Sequence, residues 1–75
     1  MTFIKSSEIQ KIKQRYPIGT RVQLLYTSDP YTRVKCGNLG SVAFVDDIGT
    51  VHVNWDGKGM LGMILNEDKI VKISK

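Results

Sequence analysis

The chain has 75 residues, 41% of them hydrophobic and 24% charged, with a net charge of +4; that length leaves room for one domain and no separate catalytic lobe. No apolar run approaches the ~20 residues of a membrane span, and Met1 to Gln10 lacks the roughly 7–15-residue apolar core of a signal peptide, so a cytoplasmic location is expected. Cys36 is the sole cysteine, which excludes an intrachain disulfide and a cysteine-cluster zinc site and suits a reducing compartment.

The positive charge is uneven. Met1 to Lys35 holds seven Lys and Arg against Glu8 and Asp29, whereas Cys36 to Lys75 holds four Lys against five acids. In the first segment, Ser7 and Gln10 stand at capping-box spacing, and Glu8 suits the positive end of a helix dipole. Lys11, Lys13 and Arg15 suit the other end, and Pro17 stops the helix by disfavouring helical backbone at Tyr16. With one short apolar stripe, Ile9 and Ile12, the helix is marginal alone, and it is expected either to dock on the rest through Phe3, Ile4, Ile9 and Ile12 or to be partly frayed.

Val22 to Tyr26 reads as the first strand, with Val22, Leu24 and Tyr26 on one face and Arg21 and Gln23 toward water. Thr27 to Asn38 then breaks the pattern: Asp29-Pro30 starts a turn, Gly37-Asn38 marks another, and the stretch is the longest irregular one. Ser41 to Val45 and Val51 to Trp55 face each other across Asp46-Asp47-Ile48-Gly49 as a hairpin. Strict alternation places Val51, Val53 and Trp55 inward and Thr50, His52 and Asn54 outward. In the turn, Asp46 can accept local backbone hydrogen bonds and Gly49 can take a positive φ. Asp56 to Gly59 forms a second turn, Met60 to Leu65 a fourth strand with a bulge or bend at Gly62, Asn66 to Lys69 one helical turn, and Ile70 to Ile73 a fifth strand.

This order predicts an all-β fold: a small five-stranded SH3-like barrel (residues 16–75) preceded by a short N-terminal α-helix (residues 1–15). An OB-fold would need a helix between its third and fourth strands, and Asp56 to Gly59 leaves no room for one. The predicted core is Val22, Leu24, Val42, Phe44, Val51, Val53, Trp55, Leu61, Val71 and Ile73.

Tyr16-Pro17, Gly19 to Val22 with Leu24, Asp29-Pro30-Tyr31, Gly37, Gly40, Val42, the run Val45 to Val53, Trp55-Asp56, Leu61-Gly62 and Glu67-Asp68 carry a family resemblance. Over Tyr16 to Ile73 the chain resembles the small bacterial family called domain of unknown function 4314, found also on phage and mobile elements. The resemblance implies an SH3-like fold and assigns no catalytic residues. A weaker similarity, a glycine-Val turn followed by Val-x-Trp-Asp and Gly, is shared with a peptide-binding type of SH3-like domain. The chain departs from the family at Cys36, where proline is usual, and at Trp55 to Gly59, where Trp-Asp-Asn-Gly is usual.

No enzyme is expected. Cys36 and His52 are the only thiol and imidazole, one in the long loop and one on an outer strand face, with no third group to orient them. Asp46-Asp47 reads as turn chemistry rather than as part of a metal site, no Gly-rich phosphate loop precedes a helix, and no cofactor is called for. The candidate binding residues are Tyr31, Arg33 and Lys35 in the long loop, helped by Arg21, Lys58 and Trp55. An exposed aromatic among cations suits an acidic peptide, a phosphate backbone or a stacked base; the alternative is that Tyr31 folds back to cover an open end of the barrel. Trp55 reads as core by parity, with its indole N–H at the rim and a ligand platform as the alternative role. The expected function is a non-catalytic module for a protein or peptide partner in a bacterial or mobile-element setting, monomeric or weakly homodimeric. Nucleic-acid binding by the basic N-terminal half is the alternative.

Overall fold

Pro17 sets the first boundary. In the computed structural model, which describes residues 5–73, helix α1 spans Ser6–Arg15 and the chain leaves helical backbone at Tyr16 (φ −122°). The capping box is not formed: Lys5 is the N-cap and no side chain caps it, because Ser7 already lies inside the helix and only a non-helical residue can turn its side chain back on the first N–H groups. The amides of Glu8 and Ile9 bond to the Lys5 carbonyl instead. None of the helix is fully buried, yet Ile12 packs against the core. The Lys13 ammonium meets Asp47 at 3.2 Å, and the Lys72 ammonium donates to the Arg15 carbonyl at 2.8 Å, a cation at the negative end of the helix. Phe3 and Ile4, expected to help dock the helix, lie outside the described residues.

Five strands follow: β1 (Arg21–Tyr26), β2 (Leu39–Val45), β3 (Val51–Trp55), β4 (Gly59–Met63) and β5 (Lys69–Lys72). They form one antiparallel sheet in the order β4-β3-β2-β1-β5, so the meander β1 to β4 is completed by β5 returning beside β1. No ladder closes β4 onto β5, and these two strands are the edges of the sheet. The turn expected at Asn66 to Lys69 begins two residues earlier, with the Glu67 and Asp68 amides both bonded to the Ile64 carbonyl.

Val22, Leu24, Val42, Val51, Val53 and Trp55 are buried as expected, and Tyr16, Val34 and Met63 join them. Phe44, Val71 and Ile73 do not, with 45%, 40% and 37% of their surface exposed. For Phe44 the cause is a bulge between Val42 and Phe44: Val42 stands opposite Val53, but Phe44 stands opposite His52, on the outer face. One extra residue reverses the inward and outward alternation. A second bulge between Leu24 and Tyr26 turns Tyr26 outward in the same way. In β5, Ile70 pairs with buried Leu24 and Val71 with Gln23, so the inward set is shifted by one residue from the expected one. Gly62 causes no bulge: β3 and β4 pair without interruption, which places Met63 opposite Val51 and half-buried Leu61 opposite Val53. Gly40 is required for a different reason, since a Cβ there would come within 2.6 Å of Val53 Cγ1 and 2.9 Å of both the Asn54 carbonyl and the Trp55 ring.

Candidate binding surface on the long loop

The residues from Thr27 to Asn38 have no regular structure of their own, so their position depends on side-chain anchors. Asp68, a buried carboxylate, supplies the first. Its Oδ1 accepts from the Thr27 hydroxyl at 2.7 Å and the Ser28 amide at 3.3 Å, and its Oδ2 accepts from the Ile64 amide at 3.0 Å. One carboxylate thus ties the start of the loop to the turn between β4 and β5. Asp29 Oδ1 then accepts from the Tyr31 amide at 2.9 Å, the local turn that Asp-Pro favours. Val34 is buried in the core, and the Arg33 Nε–H donates to the Lys58 carbonyl at 3.2 Å. At the far end, the Gly37 amide donates to the Leu24 carbonyl and the Leu24 amide to the Asn38 carbonyl, while Asn38 Oδ1 accepts from the Lys35 amide. The loop is tied at both ends and in the middle.

Tyr31 stands out from this anchored loop with 92% of its surface exposed. Arg33 joins the loop to the β3–β4 turn, and Lys35 and Lys58 are exposed on the two segments so joined. None of Arg33, Lys35 and Lys58 forms an ion pair among the described residues. Arg21 is differently placed. Its guanidinium grips Asp56 through both nitrogens, at 3.0 and 2.6 Å, and also donates to Ser41 Oγ at 2.9 Å. The hydrogen bond raises the guanidinium further above its ordinary value and holds the Asp56 carboxyl below the usual range, so this cation is already engaged within the chain. Trp55 is 1% exposed, and its Nε1 is buried, with no partner among the described residues, instead of reaching the rim. A ligand cannot stack on a ring enclosed by the core, which corrects the expectation that Trp55 lines the site.

The β2–β3 turn behaves as its residues suggest. Gly49 has φ 86°, and Asp46 Oδ1 accepts from the Ile48 and Thr50 amides at 3.0 and 2.9 Å. Asp46 Oδ2 contacts His52 Nε2 at 2.8 Å, and the imidazole is stacked on Phe44, with ring centroids 4.3 Å apart. The His52 contact therefore goes to Asp46; Cys36 is exposed in the long loop. No three of the described His, Cys, Asp and Glu side chains converge as metal ligands would. No helix among the described residues is long and apolar enough to cross a membrane. Among the shallow, open grooves formed by the described residues are one of about 300 Å³ between Arg15, Leu25, Leu65 and Ile70 and one of about 330 Å³ between Lys13, Pro17, Ile18 and Phe44.

In the sequence Asp68 stood out only as part of the Glu67-Asp68 pair of the family resemblance, and nothing local marked it as the anchor of the long loop. Its partners Thr27 and Ser28 are some forty residues away in sequence. A family model described as Domain of unknown function (DUF4314) matches residues 5–73. No curated protein and no solved structure matches the chain.

Proposed function

The chain belongs to the DUF4314 family, and we propose that it is a non-catalytic binding module of SH3-like architecture whose long loop and β3–β4 turn hold an acidic segment of a partner protein. The strand order supports the architecture: a four-strand meander with a fifth strand returning beside the first is the order of an SH3-like barrel. The observation that carries the function is Tyr31, almost fully exposed on a loop anchored by Asp68, Val34 and Arg33. A large aromatic on a pre-ordered loop offers contact area with little further loss of conformational freedom. The unpaired cations Arg33, Lys35 and Lys58 give that aromatic an acidic preference.

Nucleic acid is the competing partner, because a base can stack on Tyr31 as readily as a peptide side chain can pack there. The basic N-terminal half supports it less than its charge suggests, since Lys13 is paired with Asp47 and Arg21 with Asp56. Capture from the native host, followed by identification of the bound material, tests the two against each other. Replacing Tyr31 and Arg33 by Ala is expected to weaken capture of a protein by about 2 kcal/mol or more and to leave Tm nearly unchanged. Undiminished capture would place the site elsewhere. Capture of nucleic acid, with affinity falling steeply as salt rises, would replace the peptide reading.

A further inference from the structure

The two edges of the sheet are not alike. β5 carries Lys69 and Lys72, and charged residues on an edge strand discourage pairing with another chain. The other edge, β4, reads Gly-Met-Leu-Gly-Met, with no charge, no proline and no bulge in its ladder to β3. The direction of its backbone groups follows from the neighbouring strands. The Asp46 amide bonds the Thr50 carbonyl, and the Asp56 amide bonds the Leu39 carbonyl. Along β3 the even-numbered residues therefore point their backbone groups to β2, and Val51, Val53 and Trp55 point theirs to β4. Their partners Met63, Leu61 and Gly59 are consequently bonded to β3, which leaves the N–H and C=O of Met60 and Gly62 on the open side. No hydrogen bond among the described residues engages these four groups outside the strand ladders.

We infer that the β4 edge is a self-association surface on which a second copy of this chain pairs antiparallel, about a two-fold axis through Leu61. One register uses all four free groups: Met60 of each copy opposite Gly62 of the other, with Leu61 opposite Leu61. Shifting it one way brings in the Lys58 amide, already bonded to the Trp55 carbonyl; shifting it the other way brings in the Ile64 amide, already bonded to Asp68. Side chains fit the same register. Met60 is half exposed and would lie beside a glycine, which has no side chain to obstruct it. Charge fits too, since the Arg33 and Lys58 end of one copy meets the Ile64–Asp68 turn of the other, where Glu67 is exposed. Isologous contacts of this kind close on themselves and do not propagate.

Five residues of edge pairing bury far less than the roughly 1,200 Å² of a stable complex, so the dimer is weak and concentration-dependent. The test is sedimentation of the full chain over a wide concentration range at physiological salt, with backbone amide exchange followed by NMR. The expected result is a mass rising from one chain toward two, with protection of the Met60 and Gly62 amides rising in step. Met60→Lys, a charge at an exposed edge position, is expected to remain monomeric with its other resonances unmoved. If that variant unfolds, a sample mixing labelled and unlabelled wild-type chains decides, through a contact between the Leu61 Hα atoms of the two copies. A single-chain mass at the highest soluble concentration would overturn the inference, as would a dimer that forms with the Met60 and Gly62 amides unprotected.

Discussion

Asp46 and His52 meet at 2.8 Å across the β2–β3 turn, and the same carboxylate accepts the Ile48 and Thr50 amides. Burial pushes the Asp46 carboxyl up, but His52 and the two backbone donors outweigh it and hold the group below its ordinary value. A depressed folded value means that the stabilisation is complete above the unfolded carboxylate pKa of about 4 and is lost as pH falls through the lower folded one. Asp46→Ala is expected to cost about 1–2 kcal/mol at neutral pH and to flatten the acid limb of a Tm-against-pH curve. An acid limb identical to that of the wild type would remove Asp46 from this role.

The outward turn of Phe44 makes a second prediction. Met63 is 1% exposed and Phe44 45% exposed, so truncating the smaller apolar side chain does the greater damage. Met63→Ala is expected to cost about 2–5 kcal/mol. Phe44→Ala is expected to cost about 1 kcal/mol, the worth of its stack on His52. Urea midpoints in the reverse order would mean that the bulge in β2 is misplaced.

Asp68 joins the long loop to the β4–β5 turn through three accepted hydrogen bonds. Its removal leaves three part-buried donors without their acceptor, and Asp68→Ala is expected to cost about 1–3 kcal/mol. Amide exchange at Ser28 and Ile64 should quicken together. Exchange unchanged at both sites would show that the loop is held by other contacts.

Helix α1 touches the sheet through Ile12 and two polar contacts, whereas Tyr16 just beyond it is buried. Deleting residues 1–15 while keeping Tyr16 is expected to leave a folded domain of lower Tm. Collapse of amide NMR dispersion in the truncated chain would make the helix an essential part of the fold.

What the sequence by itself determined lies within a few residues of each signal. Pro17 ended the helix because its ring restricts the residue before it. Asp46 and Gly49 specified the β2–β3 turn because one offers acceptors to the amides just beyond it and the other tolerates positive φ. Val51, Val53 and Trp55 alternated cleanly because β3 lies between two strands and has no irregularity of its own. Tyr31 was singled out by its setting, an aromatic beside Asp-Pro in a long loop, and the fold leaves it exposed.

The tertiary structure decided the rest, and the reason is distance along the chain. A bulge is a property of two paired strands, so the one that turns Phe44 outward had no mark in β2 alone. The inward set of β5 was set by its register against β1, nearly fifty residues earlier in sequence. Arg21 looked like a free cation until folding brought Asp56 to it, and Trp55, read as core with a platform as its alternative role, lost that alternative once its ring was enclosed. Local periodicity and turn chemistry act on neighbouring residues, while register, charge pairing and burial depend on which distant strands meet.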